Sequence, residues 1–259
     1  IRVEQAEREY NEAKSNLRAD KSQLQTAYDT LNRNIETNDK KPASVDKYNQ
    51  SLDRIRNELN NAKNAAILAL RDSNPSVATV REALRKINEV QPKVDQAIGL
   101  LEQKANNSQL VIARDQLQSA INPESSTTGM TKESARNYVT KLEVAKQTLQ
   151  DANGVINDGN ASVQQISDEI TKVNQAKNNL NQAKSQLTAD VTQLQDAVRQ
   201  LDRRGDTQNK KPNSVNNYQR ALQAIENNIQ RSKNNANAII QKPIRSVNEV
   251  KQTLQEVQQ

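Results

Sequence analysis

The 259-residue sequence has no cysteine, histidine, tryptophan or phenylalanine, and only one methionine, five tyrosines, five glycines and six prolines. Without cysteine there are no disulfides and no thiolate metal sites, although secreted proteins can also lack them, so the redox compartment stays open. Without histidine and cysteine the commonest general bases and nucleophiles are missing. An adjacent acidic pair such as Asp168-Glu169 splays apart on a helix and cannot act as a catalytic dyad. The glycines are too scattered for a phosphate-cradling loop. No apolar run approaches the roughly 20 residues of a membrane span, and nothing at the start reads as a signal peptide. The sequence opens in mid-pattern at Ile1-Arg2-Val3 and stops in mid-pattern at Val257-Gln258-Gln259, as a fragment of something longer would. Catalysis, cofactors, metals and membrane contact are therefore not expected.

What remains is polar and basic. Apolar residues make up 34% and charged residues 26%, with a net charge of +6 and a pI near 9.4. Any core must be built from Leu, Ile, Val and Ala, yet the apolar periodicity is too strong for a disordered chain. Between Ser162 and Arg204 there is neither proline nor glycine. Apolar residues fall at Val163, Ile166, Ile170, Val173, Ala176, Leu180, Ala183, Leu187, Leu194, Ala197 and Leu201. Steps of three and four predict one continuous helix, about 65 Å long at 1.5 Å per residue. Such a helix has to serve a packing unit at each end.

Three motifs recur in the same order. Gln-Leu-Gln stands at 23–25, 116–118 and 193–195. A serine four residues before a tyrosine follows at Ser44/Tyr48, Ser134/Tyr138 and Ser214/Tyr218, each with a leucine four later at Leu52, Leu142 and Leu222. A third apolar run closes each copy: Val77-Val80-Leu84-Ile87, Val163-Ile166-Ile170-Val173 and Val247-Val250-Leu254-Val257. The first and third copies align without a gap, Ala19-Asp20 falling on Ala189-Asp190 and Lys40-Lys41-Pro42 on Lys210-Lys211-Pro212. Internal repetition of this kind marks tandem modules. The fold class expected is all-α, an elongated rod of three three-helix bundles spanning 1–91, 92–175 and 176–259, with long helices shared across the boundaries.

Helix A of the first module is predicted over 3–36, helix B over 44–71 with Ser44 as cap, and helix C from an Asn74 cap with Pro75 in its first turn. Pro92 suggests a kink or short break, and a two-residue insertion predicts a second break near Ala105–Ser108. Helices follow over 131–157, 214–241 and 244–258, with capping boxes at Ser162/Gln165 and Ser246/Glu249. Asp20 and Asp190 read as carboxylates at the edge of an apolar seam with a cation nearby. The matched tyrosines face inward as core. Lys40, Lys41, Arg203, Arg204, Lys210 and Lys211 are the candidates for polyanion or inter-module contact, and a charge contact is expected between Lys40-Lys41 and the Asp158-Gly159 turn. Stacking aromatics and a groove-filling basic helix are missing, so nucleic acid is not expected as a partner.

Lys-Lys-Pro-x-Ser-Val-x-x-Tyr at 40–48 and 210–218, with the Ser-Val run that follows, resembles the FIVAR-type repeats of Gram-positive surface proteins. The intervening Asn/Gln/Lys-rich helices resemble the GA-like portions that accompany them. The resemblance covers nearly the whole chain and includes the giant matrix-binding surface proteins of staphylococci. It implies a long cell-surface string of three-helix bundles that binds fibronectin and other matrix material and supports envelope integrity; binding is expected to be weak per module, and the basic residues are the ones that would meet a cell-wall polyanion. It offers no catalytic residues. The aromatic that usually follows the serine is replaced by Val45, Ala135 and Val215, which weakens a ligand role there. A monomer is expected. The alternatives are a dedicated binder of a soluble host protein such as albumin, and an intracellular spectrin-like rod, which usually carries core tryptophans.

Overall fold

A computed structural model describes residues 2–259. Among these residues the fold is all-α, with eleven helices and no strands. The chain divides into two compact units, Ile1–Ala105 with Asp158–Ser162, and Asn106–Asn157 with Val163–Gln259.

The first unit holds α1 (Arg2–Asn16), α2 (Ser22–Leu31), α3 (Pro42–Arg54), α4 (Arg56–Arg71) and α5 (Val77–Ile98). α2, the α3–α4 pair and α5 pack as a three-helix bundle, while among the described residues α1 packs on no other helix. The bundle core is made of Leu24 and Leu31 from α2, Ala62, Ala66 and Ala69 from α4, and Val80, Ala83, Ile87, Val90 and Val94 from α5. Small alanines against large aliphatics let the helices approach closely. Helix B is interrupted for one residue at Ile55, and Pro92 sits inside α5 without ending it.

The second unit holds two bundles: α6 (Ser108–Ile121), α7 (Lys132–Asn157) and α8 (Val163–Ser185), then α9 (Thr192–Leu201), α10 (Pro212–Ile240) and α11 (Val247–Gln258). Leu24, Leu117 and Leu194, the central leucines of the three Gln-Leu-Gln motifs, are fully buried. Tyr138 is buried and Tyr48 and Tyr218 partly so, in keeping with a core role. The expected acidic pair does splay: Asp168 faces out to Gln164, whereas Glu169 is only 3% exposed and pairs with Lys172 at 3.1 Å.

The structure overturns the continuous helices. The stretch 162–204 is two helices, α8 and α9, separated by residues 186–191, and the predicted helix over 3–36 is likewise α1 and α2, separated by 17–21. Asp190 and Asp20 are the reason. Each carboxylate accepts the N–H two residues on, Thr192 at 2.8 Å and Ser22 at 2.9 Å, in a turn that opens the next helix and competes with helical bonding through that point. Asn106 does the same for Ser108 at 2.9 Å, so the break expected near Ala105–Ser108 is present and runs over 99–107. These side chains therefore open helices, a role the seam-edge reading missed, although Asp190 does have the expected cations nearby in Arg245 and Lys132. Hydrogen bonds from Thr192 are the main reason the Asp190 carboxyl lies below its ordinary value, with Arg245 and Lys132 adding less.

Smaller corrections concern caps. α5 is capped by Ser76, whose hydroxyl accepts from Thr79 N–H, rather than by Asn74. α3 begins on Pro42 at its first helical position, and Ser44 does not cap it. The capping box of Ser246 and Glu249 is present as expected.

Two outcomes follow for stability. Asp190→Ala costs about 1 kcal/mol in chemical denaturation, whereas Asp190→Asn is nearly neutral because an amide oxygen accepts the same bond, as Asn106 already does. Lys242 first, then Ser246 through its N–H and hydroxyl, pull the Glu249 carboxyl down to about 2 from an ordinary 4.5. A depressed folded-state value means that the stabilisation is complete above the unfolded value and disappears as pH falls toward about 2. An NMR titration of Glu249 should show this, and Glu249→Gln should remove that part of the acid dependence.

Candidate inter-module junctions and basic loops

Where the helices break, the backbone amides and carbonyls of the link need partners. Two links find them in the same way. In the first unit, Lys41 N–H donates to Glu102 O at 2.8 Å and Lys104 N–H to Asp39 O at 2.9 Å, leaving Lys40 and Gln103 in an antiparallel bridge. Ser44, 3% exposed, donates its hydroxyl to Lys41 O at 2.7 Å and accepts Glu102 N–H at 3.1 Å. In the second unit, Thr131 N–H donates to Thr188 O at 2.9 Å and Asp190 N–H to Gly129 O at 2.9 Å, with Met130 and Ala189 bridged. Ser134 accepts Thr188 N–H at 3.3 Å. Gly129 has φ +77°, a conformation in which a side chain is strained.

A second loop closes each link from the other side. Ala43 N–H donates to Asn160 Oδ1 at 3.0 Å, and Gly159 lies so close that an added Cβ would stand 3.0 Å from Pro42 Cδ. In the second unit Ala189 N–H donates to Arg245 O at 2.9 Å. The Arg245 guanidinium returns Nε–H to Ala189 O at 3.0 Å and donates Nη1 to Ile240 O and Lys242 O.

The six predicted basic residues divide by this arrangement. Lys41 pairs with Glu102 at 2.8 Å and holds its carboxyl below the ordinary range. Lys40 lies 3.5 Å from Asp39. The Lys40-Lys41 loop does approach the Asp158-Gly159 turn, but the expected charge contact is replaced by the neutral bond from Ala43 to Asn160, because the Asp158 carboxylate accepts Asn160 N–H instead. Arg204 caps the end of α9 by donating to Leu201 O at 2.7 Å and also reaches Glu226 at 3.3 Å. Arg203, Lys210 and Lys211 are exposed. Lys40-Lys41-Pro42 and Lys210-Lys211-Pro212 thus share a sequence but not an environment: the first lysines are half-buried and the second exposed. Ser44, Ser134 and Arg245 carry the junctions and were not read as such from sequence. The available signal was the serine recurring four residues before each tyrosine, at a place where a cap was sufficient explanation.

A family model for the FIVAR domain matches residues 27–95, 113–181 and 183–259. The chain belongs to the FIVAR family. Over 178 residues it is 42% identical to extracellular matrix-binding protein EbhB of Staphylococcus aureus strain N315, covering 69% of this chain and 5% of that protein. The same identity and share of this chain are found with extracellular matrix-binding protein ebh of strain NCTC 8325, of which 2% is covered. The chain thus spans a small fraction of these relatives. A solved structure from work on extracellular matrix binding protein (Embp)-mediated Staphylococcus epidermidis adherence to fibronectin is 36% identical. It aligns over 64% of this chain and 99% of its own, with a TM-score of 0.38. Among the described residues no helix is long and apolar enough to cross a membrane.

Within these FIVAR repeats the serine is expected to matter only where a link lies on it. Ser44→Ala leaves the Glu102 amide without its acceptor and should cost about 1–3 kcal/mol in denaturant unfolding. Ser134→Ala should cost about the same or somewhat less, its bond to Thr188 being longer. Ser214→Ala, exposed and bonded only to Lys211 O, should change stability by no more than about 0.5 kcal/mol. Equal losses at all three would contradict a junction role.

Proposed function

We propose that the chain is a non-enzymatic segment of a bacterial cell-surface adhesin, acting as a spacer and as a weak, multivalent binder of extracellular matrix of the fibronectin type. One observation carries this: the same FIVAR repeat recurs three times, joined at two places by the same bonds, in a chain 42% identical to staphylococcal proteins named for matrix binding. We infer three modules whose limits fall at the links 99–107 and 186–191, downstream of limits at 91/92 and 175/176. Repetition without a catalytic constellation suits a surface that gains strength by number rather than by a pocket. A part in envelope integrity belongs to the same reading, with Arg203, Lys210 and Lys211 as the exposed cations for a cell-wall polyanion.

The test is binding to immobilised fibronectin at physiological salt. The single chain should bind weakly, and a tandem of several copies should bind at least about 10²-fold more tightly. Arg203→Ala with Lys210→Ala and Lys211→Ala should leave the fibronectin signal largely intact and reduce retention on teichoic acid. A tandem that fails to bind fibronectin would overturn the matrix reading.

A further inference from the structure

The loop between α9 and α10 is fastened at Gly205. Its N–H donates to the Tyr218 hydroxyl at 2.6 Å, and an added Cβ would stand 3.2 Å from Tyr218 Cζ, so a glycine lets the loop lie on the ring. The second bundle has the same fastening 13 residues before its own tyrosine, where Ser125 N–H donates to Tyr138 at 2.8 Å. The matching residue of the first copy is Ile35. The residues on either side are exposed in all three copies: Asn34 and Glu36, Glu124 and Ser126, Arg204 and Asp206. In the first two copies a link is bridged to the same loop and leaves these positions open, so their exposure belongs to the loop itself. Only the third copy has an arginine and an aspartate there, and the exposed sequence is Arg204-Gly205-Asp206.

The two charges of this tripeptide are held apart. Arg204 turns back to the end of α9, donating Nη1 to Leu201 O at 2.7 Å, and pairs with Glu226 at 3.3 Å rather than with Asp206. Asp206 turns forward, its Oδ1 accepting Gln208 N–H at 2.9 Å, and among the described residues its Oδ2 takes no bond. The Arg204–Glu226 pair is exposed on both sides, and an ion pair of that kind is readily exchanged for a better one. The loop thus offers a guanidinium and a carboxylate on either side of a glycine whose backbone is already fixed. Little ordering is left for a partner to impose, which favours tight and specific contact.

We propose that Arg204-Gly205-Asp206 binds directly to a cell-surface receptor that takes the Asp206 carboxylate on a divalent cation of its own and the Arg204 guanidinium on its own carboxylates. An aspartate with a free oxygen is an ordinary ligand for such a cation, which prefers oxygen donors. A guanidinium meets a carboxylate through two parallel bonds, stronger than the single bonds Arg204 gives up. Gly205 sets the spacing between the two ends, because Tyr218 fixes the backbone there. The receptor contact goes beyond matrix binding and does not rest on it: the chain reaches a cell with no fibronectin in between.

The experiment measures binding of the full chain, with fibronectin absent, to a purified integrin ectodomain that recognises Arg-Gly-Asp peptides, in the presence of manganese. Binding should disappear in EDTA and be displaced by a soluble Arg-Gly-Asp peptide but not by Arg-Gly-Glu. Asp206→Asn keeps an oxygen for Gln208 N–H and removes the charge, while Asp206→Glu keeps the charge and moves it by one methylene. Each should weaken binding at least about tenfold with the melting temperature unchanged. Gly205→Ala keeps both charges but pushes the loop off Tyr218, and should weaken binding as well. An unsubstituted chain that shows no metal-dependent binding would rule the proposal out, as would binding that survives either Asp206 substitution. Failure of the chain to bind fibronectin leaves this result untouched, since the assay contains none.

Discussion

The structure depends on how a helix break is satisfied. A break exposes amides and carbonyls that water would otherwise bind, and a link left to water would be a hinge. Here Glu102 and Thr188 each give their carbonyl to a loop amide and their own amide to a serine hydroxyl. Lys104 and Asp190 add a second backbone bond two residues on. The helix is interrupted, yet most of the connection is retained in two-stranded form. Two such bridges, Lys40 with Gln103 and Met130 with Ala189, are the extended pairings of an otherwise helical chain among the described residues.

The bundles can afford so little aromatic content because they are narrow. Alanines such as Ala62, Ala66 and Ala69 bring helices close enough for Leu24, Ile87 and Val90 to fill the space between them. The tyrosines then have a second task besides packing. Buried Tyr138 accepts Ser125 N–H at 2.8 Å, and half-buried Tyr218 accepts Gly205 N–H at 2.6 Å, so each also ties down the loop that precedes its helix.

The helices and their inward faces were legible in the sequence because apolar spacing of three and four reports burial directly. The break near Ala105–Ser108 was legible from a two-residue insertion, but those over 17–21 and 186–191 were not, because the apolar seam runs straight through them. Leu187 continues the helical rhythm past the end of α8, and Ala189 beyond it is buried in the core of the third bundle. The missed signal was short and polar: Asp20-x-Ser22, Asn106-x-Ser108 and Asp190-x-Thr192 each lead into a helix, α2, α6 and α9. Read as carboxylates at the edge of a seam, the two aspartates left the helix continuous; read as acceptors two residues before an amide, they open one. The basic loops were found but not their fates, since Lys40-Lys41 and Lys210-Lys211 differ only in what lies against them.

Amide hydrogen exchange along the whole chain tests the central claim most directly. If the links are bonded connections, Glu102, Lys104, Thr188 and Asp190 exchange on the scale of the helix cores beside them. Free exchange at those four amides, with the flanking helices still protected, would show that the links are hinges and contradict the account.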